Sequence, residues 1–331
     1  MVPSPRRPFL KSLLAATAAA LAIVGGAASA ADLPAEVTLD WAYYNPVSLV
    51  LKDKGLVEEE LKPLGVGVRW VQSLGSNKAL EFLNAGSIDL GSTAGAAALL
   101  GRINGNPIRA VYVYSKPEWT ALVARPDSGV AKVEDLKGKR VAVTKGTDPY
   151  IFLLRAMDRA GLSQRDVQLV LLQHDQGKAA LERGDVDAWA GLDPMMAQTE
   201  IEAGNRLFFR DADANTYGVL NVREAFLEQH PDLVARVLAA YEKGRRWALA
   251  NPEGLASTLA TAAKLKPEVA ARQLERTSLV DPRIGPAQRA TIVAAGKALQ
   301  AAEVIKPAVD VEAEVDRLLD ARFAGQLAAG Q

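Results

Sequence analysis

The sequence predicts a two-lobed α/β protein, on three observations. From residue 35 onward, short β-rich runs alternate with stretches of helical periodicity. One helix-to-strand corner occurs twice, as LNAGSIDL at 83–90 and as LERGDVDA at 181–188. Beyond residue 226 the chain turns helical, and amphipathic helices without strands of their own must bury their apolar faces on something already folded.

In the first block, VTLDWAY (37–43) reads as a strand and PVSLVLKDKGLVEEEL (46–61) as a helix. VGVRWVQ (66–72) is the next strand, with Trp70 assigned to the core, and NKALEFLNAG (77–86) a helix stopped by Gly86. SIDLG (87–91) reads as a strand, AGAAALLGRING (94–105) as an alanine-packed helix and IRAVYVY (108–114) as the fourth strand. Such βα units predict a mostly parallel sheet with helices on both faces.

A second series begins at TALVARPD (120–127), and VEDLKGKRVAVT (133–144) gives a short helix, a glycine turn and a strand. DPYIFLLRAMDRAGL (148–162) has Asp148 as N-cap, Pro149 at the first helical position and Gly161 at the stop. VQLVLL, KAALERG, VDAWA and PMMAQTEIEAG continue the alternation to residue 204, and YGVLNVREAF (217–226) is the last strand-like stretch. Five helices follow, over 231–251, 252–265, 267–278, 285–300 and 311–323. The expected division is an export signal over 1–30, lobe I over 31–116 and again over 221–331, and lobe II over 117–220. Two strands would cross between the lobes near 115–123 and 216–222.

Arg6, Arg7 and Lys11 precede an apolar run at 12–24 and a small-x-small Ala28-Ser29-Ala30, the pattern of a cleaved export signal. RRPFLK leaves both the Sec and the twin-arginine routes open. Lys plus Arg equals Asp plus Glu, 39 each, so no global field favours nucleic acid or an anionic membrane. The chain has no cysteine, which excludes disulfides, a thiol nucleophile and zinc–cysteine sites. A soluble periplasmic monomer without metal or cofactor is expected.

Strand ends are where α/β proteins keep ligands. GSTAGA (91–96), with Ser92 and Thr93, offers close backbone approach and a helix N-terminus that favours an anion. SLGSNKAL (73–80) places Ser76 or Asn77 as a cap beside Gly75, and TKGTDPY (144–150) places Gly146 and Thr147 in the opposite lobe. Asp148 and Asp193, each followed by Pro, read first as helix caps. Tyr44, Asn45, Trp119, Trp189, Met195 and Tyr217 supply aromatic, polar and apolar surface for an organic tail. Tyr43 is expected to point inward, His174 to sit on an exposed loop and His230 to be structural.

YNPVSLVLKDKGLVEEEL, GSNKALEFLNAGSIDLGSTAGAA, VEDLKGKRVAVTKGTDPY and LERGDVDAWAGLDPMMA, in that order, resemble the sulfonate, nitrate and taurine group of periplasmic substrate-binding proteins. The resemblance runs from about residue 37 to 240. It implies a type II periplasmic-binding-protein fold, capture of a small organic anion (an aliphatic sulfonate foremost) and delivery to an inner-membrane ABC permease with its ATPase. It also implies pocket loops at Tyr44–Asn45, Gly75–Ser76, Ser92–Thr93, Gly146–Thr147 and Trp189 to Asp193. Enzymes of the same fold rely on cysteine or on a cysteine- and histidine-rich motif, and this chain, with two histidines and no cysteine, has neither.

Overall fold

The computed structural model describes residue 1, residues 33–279 and residues 281–329. The export-signal reading falls on 1–30, outside the described residues apart from Met1. The chain opens with β1 (Glu36–Trp41), α1 (Pro46–Lys54), α2 (Leu56–Leu61), β2 (Gly67–Gln72), α3 (Ser76–Asn84), β3 (Leu90–Ala94), α4 (Gly95–Ile103) and β4 (Ile108–Pro117). It continues through β5 (Leu122–Ala124), β6 (Arg140–Val143), α5 (Asp148–Arg159), β7 (Gln168–Leu171), α6 (His174–Arg183), β8 (Ala188–Ala190), α7 (Met195–Glu202) and β9 (Arg206–Phe209). After β10 (Gly218–Arg223) come α8 (Glu224–Gln229), α9 (Pro231–Ala250), α10 (Pro252–Ala263), α11 (Pro267–Glu275), β11 (Thr277–Ser278), α12 (Pro286–Ala301), α13 (Val311–Leu318) and α14 (Ala324–Ala329).

Two sheets result, one ordered β11-β4-β10-β3-β1-β2 and the other β7-β6-β8-β5-β9. Within the βα repeats the pairing is parallel, β1 with β2 and β3, and β6 with β7 and β8. It is antiparallel where the chain passes between sheets, because β10 returns between β3 and β4 and β5 enters between β8 and β9. Both sheets are therefore mixed rather than mostly parallel. The helical tail packs largely on the first sheet's layer, α9 on α1 and α2, α12 and α13 on α4, while α11 also reaches α7.

The repeated corner has a structural meaning. Gly86 and Gly184 take left-handed conformations at φ 67° and 82°, which only glycine adopts without a steric cost, and each ends its helix. Ile88 and Val186 are then fully buried. Asp89 Oδ2 accepts the Thr38 N–H at 2.9 Å, and Asp187 Oδ2 accepts the Arg140 N–H at 2.8 Å. Each carboxylate thus holds the start of the parallel neighbour of its own strand, and β3 and β8 sit at the middle of their sheets.

Several elements differ from expectation, among them α8, which begins inside the stretch read as strand-like to 226, and β11, which ends the helix expected to run to 278. The helix over 46–61 breaks into α1 and α2 at Gly55, whose φ is 64°. The strand expected at 87–91 forms later, at Leu90–Ala94, because Ser87 and Ile88 donate their N–H groups back to Phe82 O to close α3. RLFF (206–209), assigned no structure by the sequence reading, is the half-buried edge strand β9. Asp89→Ala leaves the Thr38 N–H and the Arg223 guanidinium without their partner; we expect it to lower unfolding free energy by about 1–3 kcal/mol. Urea denaturation checks this, and an unchanged midpoint would show that the corner does not fix the strand.

Candidate functional site

Two hollows lie between residues carried by the two sheets. The larger, about 310 Å³, is walled by Tyr43 and Tyr44 after β1, Gln72 at the end of β2 with Ser73 and Leu74 after it, and Ala263 at the end of α10 with Leu265 just beyond. Its opposite wall is Asp175 of α6 with Asp193, Pro194, Met195 and Gln198 leading into α7. The smaller is bounded by Tyr44, Ser76, Trp119, Thr147, Asp148, Pro149 and Leu192. Tyr44 borders both.

Two helices begin at the smaller hollow. α3 starts from Gly75 and α5 from Thr147, and neither has a side-chain cap among the described residues. A Cβ on Gly146 would stand 3.9 Å from Asn77 Cβ, so the two N-termini approach each other from different sheets. First-turn N–H groups without an intrahelical partner, backed by helix dipoles, attract an anion. The capping expectations are corrected here. Ser76 Oγ instead accepts the Ala94 N–H at 3.0 Å, and Asn77 Nδ2 reaches Gln173 Oε1 at 3.5 Å. Asp148 is not the N-cap of α5 either. Its carboxylate turns to Trp119 Nε1 (2.9 Å), Thr216 N (3.0 Å) and Thr216 Oγ1 (2.9 Å). Asp193 stands one residue before the N-cap, Pro194, and from there its Oδ1 accepts the Ala197 N–H of the first turn of α7 at 2.8 Å.

GSTAG is not a turn. Ser92 and Thr93 lie inside β3, fully buried and paired with Leu220 and Val219 of β10. The Ser92 N–H and hydroxyl both donate to Asp40 Oδ1, at 2.8 and 2.7 Å, and Thr93 Oγ1 accepts from Asn221 Nδ2 at 2.8 Å. The first N–H groups of α4 are likewise taken, Gly95 by Tyr217 O and Ala96 by Thr216 Oγ1. The hydroxyls of Ser92 and Thr93 and the first two N–H groups of α4 are thus engaged within the protein. Asn45, also fully buried, caps α1 through Oδ1 and donates to Ser92 Oγ at 2.9 Å, so it forms the floor rather than the wall.

Trp189 is likewise a core residue: it is fully buried, and a Cβ on Gly177 of α6 would come within 2.6 Å of its Nε1. Tyr217 lines a separate surface hollow with Arg283 and Gln288, under the Lys116 ammonium. Trp70 is half-buried against the first core and donates to Glu58 Oε1 at 2.7 Å. Tyr43, expected to point inward, is on the cavity wall. Ser73 and Leu74 belong to the SLGSNKAL stretch already singled out, whereas nothing in the sequence pattern marks Ala263 or Leu265.

His174 is not exposed. It begins α6, 1% accessible, and burial pulls its pKa down to about 3, so the ring is neutral. Thr144 Oγ1 gives its proton to Leu172 O and so accepts from Nδ1, which leaves Nε2 an acceptor without a partner among the described residues. A Cβ on Gly75 would lie 3.0 Å from that nitrogen, so the two sheets' loops meet closely here. His230 stands at the start of α9 with its ring 5.2 Å from that of Phe226, as a structural residue should. Burial pushes Asp40 up to about 7 against its Ser92 hydrogen bonds, and Asp193 to about 7 against the attraction of Arg276. Among the described residues no cluster of His, Asp or Glu is arranged to hold a metal ion, and no helix is long and apolar enough to cross a membrane.

The profile of the NMT1/THI5-like family matches residues 52–255, more than half of the chain. The chain belongs to the NMT1/THI5-like family. Two of its relatives, from Bacillus subtilis and Escherichia coli, carry the provisional name aliphatic sulfonates-binding protein. They are 27% identical over 202 residues and 33% identical over 178 residues. The matches cover 60% and 53% of this chain but only 61% and 56% of those relatives. Among solved structures, the alkanesulfonate-binding protein SsuA of Xanthomonas axonopodis pv. citri bound to MOPS superposes with a TM-score of 0.77 at 25% identity, covering 85% of this chain and 98% of that one. The desulfurization enzyme DSZB, at 15% identity and a TM-score of 0.66, shares the fold alone.

For this NMT1/THI5-like chain the buried acids set a pH response. Folded Asp40 keeps its proton up to about pH 7 and the unfolded group only to 3.8, so stability falls as pH rises between those values. Asp193 acts in the same sense, whereas His174, protonated in the folded chain only below about pH 3, opposes them up to 6.5. Asp40→Asn keeps the acceptor for Ser92 and removes one acid. Its expected gain is about 4 kcal/mol at pH 8, vanishing near pH 4. Urea unfolding of both proteins across pH tests this; a gain independent of pH would contradict it.

Proposed function

We propose that this protein is the periplasmic solute-binding component of an ABC importer, a monomer that captures a small organic anion, an aliphatic sulfonate foremost, between the two lobes built on its sheets. The observation that carries this reading is the pair of uncapped helix N-termini, α3 and α5, that meet at one hollow from opposite sheets. The hollow is about 10 Å³ as it stands, so the lobes would part to admit the anionic head, which would sit on the first-turn N–H groups at Ser76–Asn77 and Thr147–Asp148, with the organic tail extending past Tyr44 into the larger cavity beside Leu74 and Met195. Relatives named for sulfonates and for taurine, among them periplasmic proteins, support the ligand class and compartment.

The energies suffice. Each dipole contributes about 0.3–2 kcal/mol and each hydrogen bond to a charged group about 1.5–3 kcal/mol. Four such bonds reach the roughly 8 kcal/mol of micromolar binding without any contacting arginine. Lobe closure over the solute would then present both lobes to the permease and its ATPase.

Calorimetry of the mature protein against alkanesulfonates, nitrate and carboxylates tests the reading, with micromolar binding of at least one sulfonate expected. Gly75→Val would drive a side chain into His174 and separate the two N-termini. We expect it to weaken that binding by about tenfold or more, roughly 1.4 kcal/mol. Absence of any sulfonate heat in the wild type would remove the proposed ligand class.

A further inference from the structure

Away from the crossings, one part of the helical tail meets the layer of the second sheet, where α11 packs on α7. The contact joins opposite charges. Arg276, just past α11, pairs with Glu200 of α7 and stands 3.5 Å from Asp193 Oδ1. Arg272 Nη1 lies 3.4 Å from Glu200 Oε1, and Lys266 Nζ lies 3.4 Å from Glu202 Oε1. Three cations carried by the tail therefore face three carboxylates carried by the other lobe. The cations all lie beyond residue 255, outside the stretch matched to the family.

The pairs are graded by depth and by leverage. The Arg276 side chain is 5% exposed and that of Lys266 61%. Arg276 is held at the outward crossing, where its carbonyl accepts the Glu118 N–H at 2.7 Å and the next two residues pair with Pro117 and Lys116 of β4. Lys266 stands at the far end of α11, about 15 Å away at the helical rise per residue. A rotation about the crossings thus moves Lys266 from Glu202 by more than it moves Arg276 from Glu200. The same rotation widens the larger cavity, because Leu265 on one wall and Met195 on the other sit beside these pairs. Exposed ion pairs contribute little singly, but a network around a buried guanidinium is costly to break.

We propose that the charge pairs between α7 and α11 are a clasp that forms only when the lobes close, and that it sets how long they stay shut over a solute. This rests on the two-lobed capture reading above and is independent of which anion is captured.

The chain has no cysteine, so Asp53→Cys in α1 and Lys137→Cys before β6, both exposed and on different lobes, take nitroxide labels without competition. Pulsed electron spin resonance then reads the separation of the lobes without any solute. At about 0.05 M salt the short separation should dominate, and about 1 M salt should raise the open-to-closed ratio about fivefold or more. Glu200→Gln should do the same at low salt. Glu202→Lys should raise the ratio about threefold, and adding Lys266→Glu should restore it, which a merely structural role would not give. Butane-1-sulfonate should leave Glu200→Gln about fivefold faster than wild type, with its association rate held within about twofold. An open wild type at low salt, or ratios that ignore both salt and substitution, overturn the clasp and leave the sulfonate reading standing. Distance shifts as expected with no sulfonate bound remove that ligand class and leave the clasp. Should Glu200→Gln not fold, the exposed swap at Glu202 and Lys266 decides.

Discussion

The two halves of the molecule depend on the carboxylate of Asp148. It opens α5, yet it binds Trp119, on the outward crossing between β4 and β5, and Thr216, on the return crossing between β9 and β10. The crossings are tied to each other as well, Thr120 N donating to Asn215 Oδ1 and Lys116 Nζ to Asn215 O. Burial raises the pKa of Asp148, while the Trp119 and Thr216 donors, with the Lys116 charge, favour the ionised form. A buried charge with satisfied lone pairs contributes modestly to stability, but stranding it by removing a partner costs several kcal/mol, about 3–5. The N-terminus of α5 is therefore positioned by the same group that ties the two crossings together.

Beneath the smaller hollow lies a floor of interlocked polar side chains. Asp40 holds Ser92, Ser92 accepts from Asn45, and Asn45 caps α1 and reaches the Tyr241 hydroxyl. Tyr44 donates to Ser92 O and stacks edge-on against Trp119 with ring centroids 6.0 Å apart. The aromatic ring shared by both hollows is thus anchored to the first sheet and in contact with the crossing. Side chains pinned at two ends lose little entropy when a solute arrives.

Much of this was legible in the sequence, and the parts that were not have definite causes. The alternation and the repeated Gly-x-(Ile/Val)-Asp corner marked both sheets and their central strands, because left-handed glycine and a strand-clamping aspartate are local requirements. The helix starts at Gly75–Ser76 and Gly146–Thr147 were legible as small-residue turns ahead of helical periodicity. Ser92 and Thr93 misled because small residues signal close approach without saying by what. Here the approaching groups are Asp40, Tyr44 and β10. Trp189 and His174 followed strand ends, as pocket residues do, but α6 lies over the indole, and the imidazole is sealed against Gly75. The Ala263 and Leu265 wall depends on where a distant helix comes to rest, which no short window of sequence specifies.

The walls of the larger cavity do not all come from the stretch that defines the family. Tyr43 and Tyr44 precede residue 52, and Ala263 and Leu265 follow residue 255, so two edges of the cavity come from segments outside the shared profile. The two helix starts lie within it. The family profile therefore spans both helix starts and leaves outside it the tyrosine pair and the helix end that shape the larger cavity.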